Sequence, residues 1–560
     1  MRDLGGYFGP RGFAAKALIE EEARMTKQRL ILGVLALVAI AFALPLAAER
    51  TAAQWEQDKK DFYRDFQNPD LKVKQGSLER IAAVNTVDAA KFMLAVYGQL
   101  KRDNDAVRSK MDAEVADLDK KLKPLRASTQ LSAGELDRRT KLEAEQKAIV
   151  DAATAKMDEN KKLLDIVATC LTRFNDPAAV QELRNLVLKS PDWTDRLAIL
   201  TGLLQSGAEG VGSICLEAAK DKDVRVRIVA LDGLLRLKVA AAVPLFVAAV
   251  EDPEWQIRLS GIAGVEEYKS KDGVTAMIRQ LGKEDGRLRD DISGALKRLT
   301  GMDFGYQADV WQKWWNENKD KWSGPGTTPG SAPVKSGGGG GGTTAEPPTF
   351  FGLKITSKKV LFVLDITGSM NDPSEPPEDA KKPGNVVSGG NAPPPDPWEP
   401  GKKGTKIEVL KYEFERTISK LDPKVTFNII VYSVPVLVWK EKMMPATPPN
   451  RAEAIDFVKK QSANGMTATG DALEKAFELA GNGVRDKNYA ALVDTIYLMT
   501  DGAPNAGKYP TTDDILRKVG EWNTLSKVII NTIGLGDKSN YNPDFLMRLA
   551  KMTGGTFVKR

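Results

Sequence analysis

Apolar residues recur at helical spacing between residues 51 and 322, and a repeat becomes visible from Asp192 onward. An acidic and a basic residue four apart return every 31 residues, as Asp192/Arg196, Asp223/Arg227, Glu254/Arg258 and Asp285/Arg289. Ten residues after each acid stands a small residue: Gly202, Gly233, Gly264 or Ala295. Small residues at one recurring position let helices pack closely, and a period near thirty with two helices per unit is typical of solenoids. We therefore predict an all-α solenoid of stacked helix pairs over residues 51–322.

Two long, charged helical segments interrupt this repeat at about residues 101–171. Apolar positions step by four and three along Val107–Leu125, and by seven or eight along Leu142–Leu171. Such spacing makes the narrow apolar seam of a coiled coil. Ser132 and Glu135 match a capping box that opens the second helix. The pattern predicts an antiparallel coiled-coil hairpin, which serves either as an oligomerisation or docking arm or only as a spacer.

The hydrophobic pattern changes to alternating strands and helices after Lys358. Near-continuous apolar runs such as Val360–Leu364, Val425–Val431 and Thr495–Met499 are separated by helical segments. Parallel strands that are covered by helices on both faces have this composition. We predict a doubly wound, Rossmann-like α/β domain over residues 350–560, with a mostly parallel six-stranded sheet. Ligands bind such sheets at the carboxyl ends of the strands.

Two segments have a composition that cannot form a core. Residues 323–349 are rich in glycine, serine and proline, with an unbroken run from Gly337 to Gly342, and are predicted to be a flexible linker. Residues 371–405 are rich in proline and glycine and are predicted to be a disordered insertion in the α/β domain. The insertion either gates a neighbouring site or contributes contacts to a partner, or it is a tolerated surface insertion.

The N-terminal region carries an apolar segment at residues 30–48, interrupted only by Gly33 and Pro45 and preceded by basic residues. It is predicted to be a transmembrane anchor or the core of a signal peptide, with residues 1–29 as a cytoplasmic segment or signal n-region. Both alternatives place the rest of the chain outside the cytoplasm. The protein is then either anchored to the cell membrane by one N-terminal helix, or periplasmic or secreted after cleavage.

Charge and composition exclude several classes of function. The 81 basic and 75 acidic residues give a net charge of +6, too balanced for a protein that binds nucleic acid through its overall field. The chain contains no histidine, which removes the commonest general base and all His-based zinc sites. Cys170 and Cys215 are the two cysteines. They are too few for a structural zinc site and are either buried core residues or one disulfide.

Oxygen-bearing side chains follow the predicted strands of the α/β domain. Asp365, Thr367 and Ser369 come after the first strand, Thr467 lies in a central loop, and Asp501 follows the strand that ends at Met499. Two carboxylates and three hydroxyls suit a hard cation, namely Mg²⁺, or alternatively Mn²⁺ or Ca²⁺. We therefore predict one divalent-cation site at these residues.

These motif pieces resemble the metal-ion-dependent adhesion site of von Willebrand factor A domains, which is written D-x-S-x-S, then T, then D. The departure from that motif is Thr367, which keeps the hydroxyl and adds a methyl group. The resemblance implies that the hydroxyls bind the cation directly, that the aspartates bind directly or through water, and that an acidic side chain of a protein partner completes the coordination. The preceding repeats resemble HEAT repeats, and the combination resembles bacterial proteins that join HEAT-like repeats to an A domain.

From these patterns we expect a non-enzymatic, exported interaction or adhesion protein without catalytic residues. It would bind a protein ligand through the cation, with the solenoid as scaffold, and would not bind nucleic acid. The alternative is a structural scaffold that binds through its solenoid and uses the cation only for stability. A chelatase-like enzyme subunit is less favoured, because the chain contains no G-x-x-x-x-G-K-[ST] phosphate loop.

Overall fold

A computed structural model of the chain describes residues 51–128, 131–325, 347–374, 404–481, 492–536 and 542–560. The predicted apolar segment at 30–48, residues 1–29, and most of the predicted linker and insertion lie outside these ranges. Within the described ranges, no helix has both the length and the apolarity that a membrane crossing requires. The chain divides into two compact units. One comprises Val84 and the residues before it together with Asn104–Ile166, and the other comprises Asn85–Asp103 and Val167–Arg560.

The first unit is helical. It contains α1 (Ala52–Phe66), α2 (Leu71–Ala83) and the distal parts of α3 (Val87–Ala127) and α4 (Ala133–Leu171). Three leucines of the predicted seam are buried, namely Leu118, Leu122 and Leu125. Arg126 of α3 donates hydrogen bonds to Glu143 and Gln146 of α4. The predicted capping box is present, because Ser132 and Glu135 each accept the other's backbone N–H.

The helical part of the second unit follows the sequence repeat. Its helices after α4 are α5 (Pro177–Lys189), α6 (Trp193–Ser206), α7 (Val211–Ala218), α8 (Val224–Arg236), α9 (Val243–Ala249), α10 (Trp255–Tyr268), α11 (Lys271–Leu281), α12 (Gly286–Thr300) and α13 (Ala308–Asn318). The four repeated acids are the N-cap residues of α6, α8, α10 and α12. These four helices pack on one another in succession, so the repeat corresponds to one helix pair per period.

Three of the four repeated arginines bind the loops that precede their own helices. Arg196, Arg227 and Arg258 each donate from Nη1 to the backbone carbonyls of the residues six and five positions earlier, at 2.8–3.4 Å. Arg196 also forms a two-bond ion pair with Asp221, at 2.7 and 2.8 Å. Asp192 and Asp223 also cap their helices, because each accepts the backbone N–H of the residue two positions later. The side chains of Glu254 and Asp285 make no such capping bond.

The α/β part contains one main sheet of seven strands. The strands and helices of this part are β1 (Thr349–Phe350), β2 (Leu353–Lys354), β3 (Lys359–Asp365), β4 (Pro373–Ser374), β5 (Gly404–Thr405), α14 (Lys406–Ser419), β6 (Thr426–Tyr432), β7 (Val436–Val438), β8 (Met444–Pro445), α15 (Pro448–Lys459), α16 (Thr469–Gly481), β9 (Thr495–Thr500), α17 (Thr512–Ser526), β10 (Ile529–Gly534), α18 (Pro543–Thr553) and β11 (Phe557–Lys559). The order across the sheet is β11-β10-β9-β3-β6-β7, and β8 also pairs with β6. The ladders are parallel except for those of β7 and β8, so the mostly parallel sheet is confirmed. The six-stranded prediction missed β8, a two-residue strand too short to leave a pattern.

Both faces of this sheet are buried. Val360, Phe362 and Leu364 of β3 belong to one apolar cluster, which includes residues of α14 and α15. Leu361 and Val363, which alternate with them, belong to a second cluster with residues of α16, α17 and α18. Successive side chains of a strand point to opposite faces, so helices cover the sheet on both sides. This arrangement leaves the carboxyl ends of the strands as the place for a site.

Two smaller predictions have clear outcomes in the described residues. The short strands β4 and β5 pair antiparallel, which brings the two ends of the predicted insertion together, while residues 375–403 between them lie outside the described ranges. Cys170 and Cys215 are buried free thiols, so the disulfide alternative is wrong.

Candidate metal-binding site

Adjacent parallel strands bring the two predicted aspartates to the same edge of the sheet. Asp365 is the last residue of β3, and Asp501 follows the last residue of β9, with which β3 pairs. A short 3₁₀ turn after β3 carries Ser369, and Thr467 lies in the loop that leads into α16. The backbone N–H of Gly368 donates to the carbonyl of Gly465 at 3.1 Å, which fastens the first loop to the second.

Asp365 is fully buried, and both of its carboxylate oxygens accept hydrogen bonds. Oδ1 accepts from the backbone N–H of Thr367 at 2.8 Å, and Oδ2 accepts from the Thr500 hydroxyl at 2.6 Å. Burial raises the pKa of Asp365 to about 6, and the nearby negative charge of Asp501 adds to this increase. The two hydrogen bonds act in the opposite direction because they favour the ionised carboxylate. A nearby cation would also favour the ionised form.

The hydroxyl groups lie beside the second aspartate. Ser369 Oγ donates to Asp501 Oδ1 at 2.8 Å, and Thr367 Oγ1 lies 3.3 Å from Ser369 Oγ. A Cβ atom added to Gly502 would lie 3.0 Å from Thr467 Oγ1 and 3.8 Å from Ser369 Oγ. The three motif loops therefore meet around Gly502, where a side chain would occupy the space between the hydroxyls.

The residues brought together fit a hard divalent cation. Their donor atoms are all oxygens, and the glycine at position 502 keeps a side chain away from the hydroxyls of Thr467 and Ser369. Among the described residues, no group of three or more cysteine and carboxylate side chains is arranged to hold a metal ion. A cation at this place would therefore depend on the hydroxyls of Thr367, Ser369 and Thr467 as well as on the two aspartates.

Comparison with known proteins agrees with this fold. Residues 402–558 match the family model described as von Willebrand factor type A domain. The α/β part is a von Willebrand factor A-type domain. The chain is 27% identical over 214 residues to inter-alpha-trypsin inhibitor heavy chain H3 of Pongo abelii, and 27% identical over 213 residues to the Homo sapiens protein of that name. Each match covers 37% of this chain but only 20% and 19% of those proteins, respectively. Among solved structures, the chain is similar to a von Willebrand factor type A protein from Catenulispora acidiphila, with 19% identity, a TM-score of 0.26, and coverage of 37% of this chain and 39% of that chain.

The A domain also has site residues that the sequence did not single out. Thr500 donates to Asp365, and Asn505 accepts the backbone N–H of Thr467 at 2.8 Å, which fixes the loop of that threonine. Lys406, the first residue of α14, donates to Asp501 Oδ2 at 2.8 Å and is almost completely buried. Nothing in the sequence marks Lys406 as buried, because a lysine at the start of a helix ordinarily keeps its charge in water.

Proposed function

We propose that the A domain binds one divalent cation at Asp365, Thr367, Ser369, Thr467 and Asp501 and uses it to hold an acidic side chain of a protein partner. Mg²⁺ is the first candidate, with Mn²⁺ and Ca²⁺ as alternatives. The observation that carries the proposal is the meeting of three oxygen-bearing loops around Gly502. Neutral hydroxyl ligands neutralise little of the charge of a cation, so a further carboxylate from a partner would bind it strongly.

We propose binding rather than catalysis for this site. Hydrolysis assisted by a metal needs a general base beside the cation, and the chain contains no histidine to supply one. Asp365 and Asp501, the two carboxylates at the site, are assigned to the cation in this proposal, and each also accepts hydrogen bonds on both oxygens. A coordination position left open by the protein is then available to a ligand rather than to an attacking water.

The remaining parts of the chain have supporting roles in this proposal. The stacked helices of residues 167–322 present the A domain, in the manner expected of HEAT-like repeats. Export from the cytoplasm rests on the sequence of residues 30–48, as an anchor or as a cleaved signal. The helices α3 and α4 form the proposed coiled-coil hairpin, whose seam would serve self-association or only spacing.

A pair of matched aspartates tests the cation site. Asp365→Asn removes one buried carboxylate from the site, whereas Asp494→Asn removes one at the opposite end of the sheet, where Asp494 precedes β9 and accepts from Ser357 and Thr495. We expect calorimetric titration of the full chain with Mg²⁺, Mn²⁺ and Ca²⁺ to show binding that is at least about 100-fold weaker in Asp365→Asn and retained in Asp494→Asn. Equal binding in the two variants would refute a cation site at Asp365.

A second measurement separates ligand binding from a purely structural cation. The full chain is tested for adhesion to a polyglutamate-coated surface in Mn²⁺ and in EDTA. The proposal predicts adhesion that EDTA and Asp365→Asn both abolish and that Asp494→Asn leaves unchanged. Cation binding that raises the melting temperature but leaves adhesion insensitive to EDTA would instead support the alternative, a scaffold with a structural cation.

A further inference from the structure

Lys406 places its ammonium group inside the proposed site. Its side chain is 2% exposed, and Nζ lies 2.8 Å from Oδ2 of Asp501, which is 0% exposed. Gly536, with a φ of +97°, leaves room for the lysine, because a Cβ there would lie 2.9 Å from Lys406 Cε. Asp372 is the second carboxylate near the ammonium, at 3.3 Å, but its side chain is 52% exposed to solvent.

Burial of the Lys406 ammonium group costs free energy, which other contacts of the lysine must offset. An ammonium group loses hydration on burial, and the first turn of a helix is the end where the dipole disfavours a positive charge. The backbone N–H of Lys406 also donates to the carbonyl of Asp372 at 3.0 Å, so both the main chain and the side chain are held. The ion pair with Asp501 offsets these costs.

The lysine also limits what Asp501 can do for a cation. Oδ1 of Asp501 accepts from Ser369 and Oδ2 accepts from Lys406, so a cation bound directly to Oδ2 would share that oxygen with the ammonium group, and one bound to Oδ1 would share it with the hydroxyl. Asp501 would then act on a cation through the Ser369 hydroxyl or through water. The direct ligands would be mainly neutral hydroxyls.

The buried charged groups of the site do not balance a divalent cation. Asp365 and Asp501 carry two negative charges when ionised, and Lys406 reduces the total to one. A divalent cation would leave the buried site with one excess positive charge, which one carboxylate from outside would neutralise. Charge imbalance is expensive where the effective dielectric constant is low.

We propose that Lys406 is a built-in counter-cation that weakens the binding of a bare divalent cation and makes cation binding depend on the carboxylate of the ligand. The inference rests on the proposed function and adds a regulation of the same site. Coupling between two ligands is reciprocal, so a carboxylate ligand tightens the cation to the same degree that the cation tightens the ligand. The free protein would hold the cation weakly, and the complex would retain it.

The test uses calorimetric titration of the full chain with Mn²⁺, once in chloride and once with added acetate as a monocarboxylate probe. Lys406→Met removes the charge, and Lys406→Gln removes the charge but keeps a hydrogen-bond donor. Lys411→Met is the matched control, because Lys411 lies on the same helix and its Nζ donates to the backbone carbonyl of Gln461 at 2.7 Å. Thermal melting establishes which variants are folded.

We expect both Lys406 variants to bind Mn²⁺ at least about tenfold more tightly than the wild type in chloride. Acetate should tighten Mn²⁺ binding severalfold in the wild type and in Lys411→Met, and much less in the Lys406 variants. Unchanged or weaker Mn²⁺ affinity in the folded Lys406 variants would overturn the inference and leave the proposed function standing. An acetate effect that is missing in the wild type would overturn it without any variant. A wild type that binds Mn²⁺ neither in chloride nor with added acetate would refute the proposed function itself.

Discussion

Single threonines at the two ends of β9 make the same kind of hydrogen bond in two different settings. Thr500 Oγ1 donates to Asp365 Oδ2 at 2.6 Å at the carboxyl end, inside the candidate site. Thr495 Oγ1 donates to Asp494 Oδ1 at 2.8 Å at the amino end. A valine at either position keeps the shape of the side chain and removes the donor. The pair therefore separates stability from site function.

We expect Thr500→Val to weaken Mn²⁺ binding about tenfold and to lower the free energy of unfolding by about 1–3 kcal/mol, because a buried carboxylate oxygen loses its donor. Loss of that donor also disfavours the ionised form of Asp365, which the cation requires. Thr495→Val should have a similar cost in stability and leave Mn²⁺ affinity unchanged. Calorimetry and urea denaturation measure the two effects. Equal Mn²⁺ affinity in the two variants would contradict the place of Thr500 in the site.

The five predicted site residues could be selected from the sequence because each lies at a strand end or helix start within a recognisable motif. Thr500 ends β9 and Lys406 begins α14, but neither residue is a position of that motif. The contact between Lys406 and Asp501 spans 95 positions of the chain, and no local pattern records it. The carboxylates of the site could be found from the sequence, whereas the ammonium group of Lys406 that partly balances their charge is found only in the fold.

Helix packing in the repeats depends on glycines at positions where a methyl group does not fit. A Cβ at Gly264 of α10 would lie 2.1 Å from the ring of Phe246. A Cβ at Gly294 of α12 would meet the guanidinium group of Arg298, with Nη1 at 3.1 Å, which is the end of a flexible side chain. Packing therefore leaves no room for a methyl group at position 264, whereas position 294 can accept one.

We expect Gly264→Ala to destabilise the protein by about 1–3 kcal/mol, because the Phe246 ring must move. Gly294→Ala should be neutral or stabilising by up to about 1 kcal/mol, because alanine is the better helix former. Urea denaturation, followed by circular dichroism at the helix band, measures both. A Gly264→Ala protein as stable as Gly294→Ala would show that the small residue of the repeat is not a packing requirement.

The repeat could be predicted because its period shows which positions are equivalent. The period does not show which residues these positions contact. Acid and arginine stand four apart, a spacing that suggests a pair within one helix. In the fold the acid is the N-cap, and Arg227, for example, reaches the carbonyls of Asp221 and Lys222 in the preceding loop. The sheet was predictable for a different reason, since buried parallel strands leave continuous apolar runs and β8, with two residues, leaves none.

On the scale of the second compact unit, polar contacts join the stacked helices to the A domain. Arg287 of α12 donates from Nη1 to the carbonyls of Asp494, at 2.7 Å, and Lys527, at 2.6 Å. Lys527 also pairs with Asp232 of α8. These carbonyls precede β9 and β10, so the contact lies at the amino ends of the parallel strands and the candidate cation site lies at the opposite edge. An open cleft of about 370 Å³ lies beside these contacts and is lined by residues of both parts, among them Leu259 and Met552.

Replacement of Arg287 tests whether this joint holds the A domain without affecting its site. Arg287→Met removes both hydrogen bonds to the carbonyls, whereas Arg289→Met on the same helix removes a guanidinium that lies over the Tyr306 ring within the helical part. We expect Arg287→Met to cost about 1–3 kcal/mol and to speed amide exchange at the amino ends of β9 and β10, measured by mass spectrometry. Mn²⁺ affinity should not change, because the site lies at the carboxyl ends. Arg289→Met should leave amide exchange at these strand ends and Mn²⁺ affinity at their wild-type values. Similar exchange in the two variants would show that Arg287 does not hold the joint, and weaker Mn²⁺ binding in Arg287→Met alone would show that the joint and the site are coupled through the sheet.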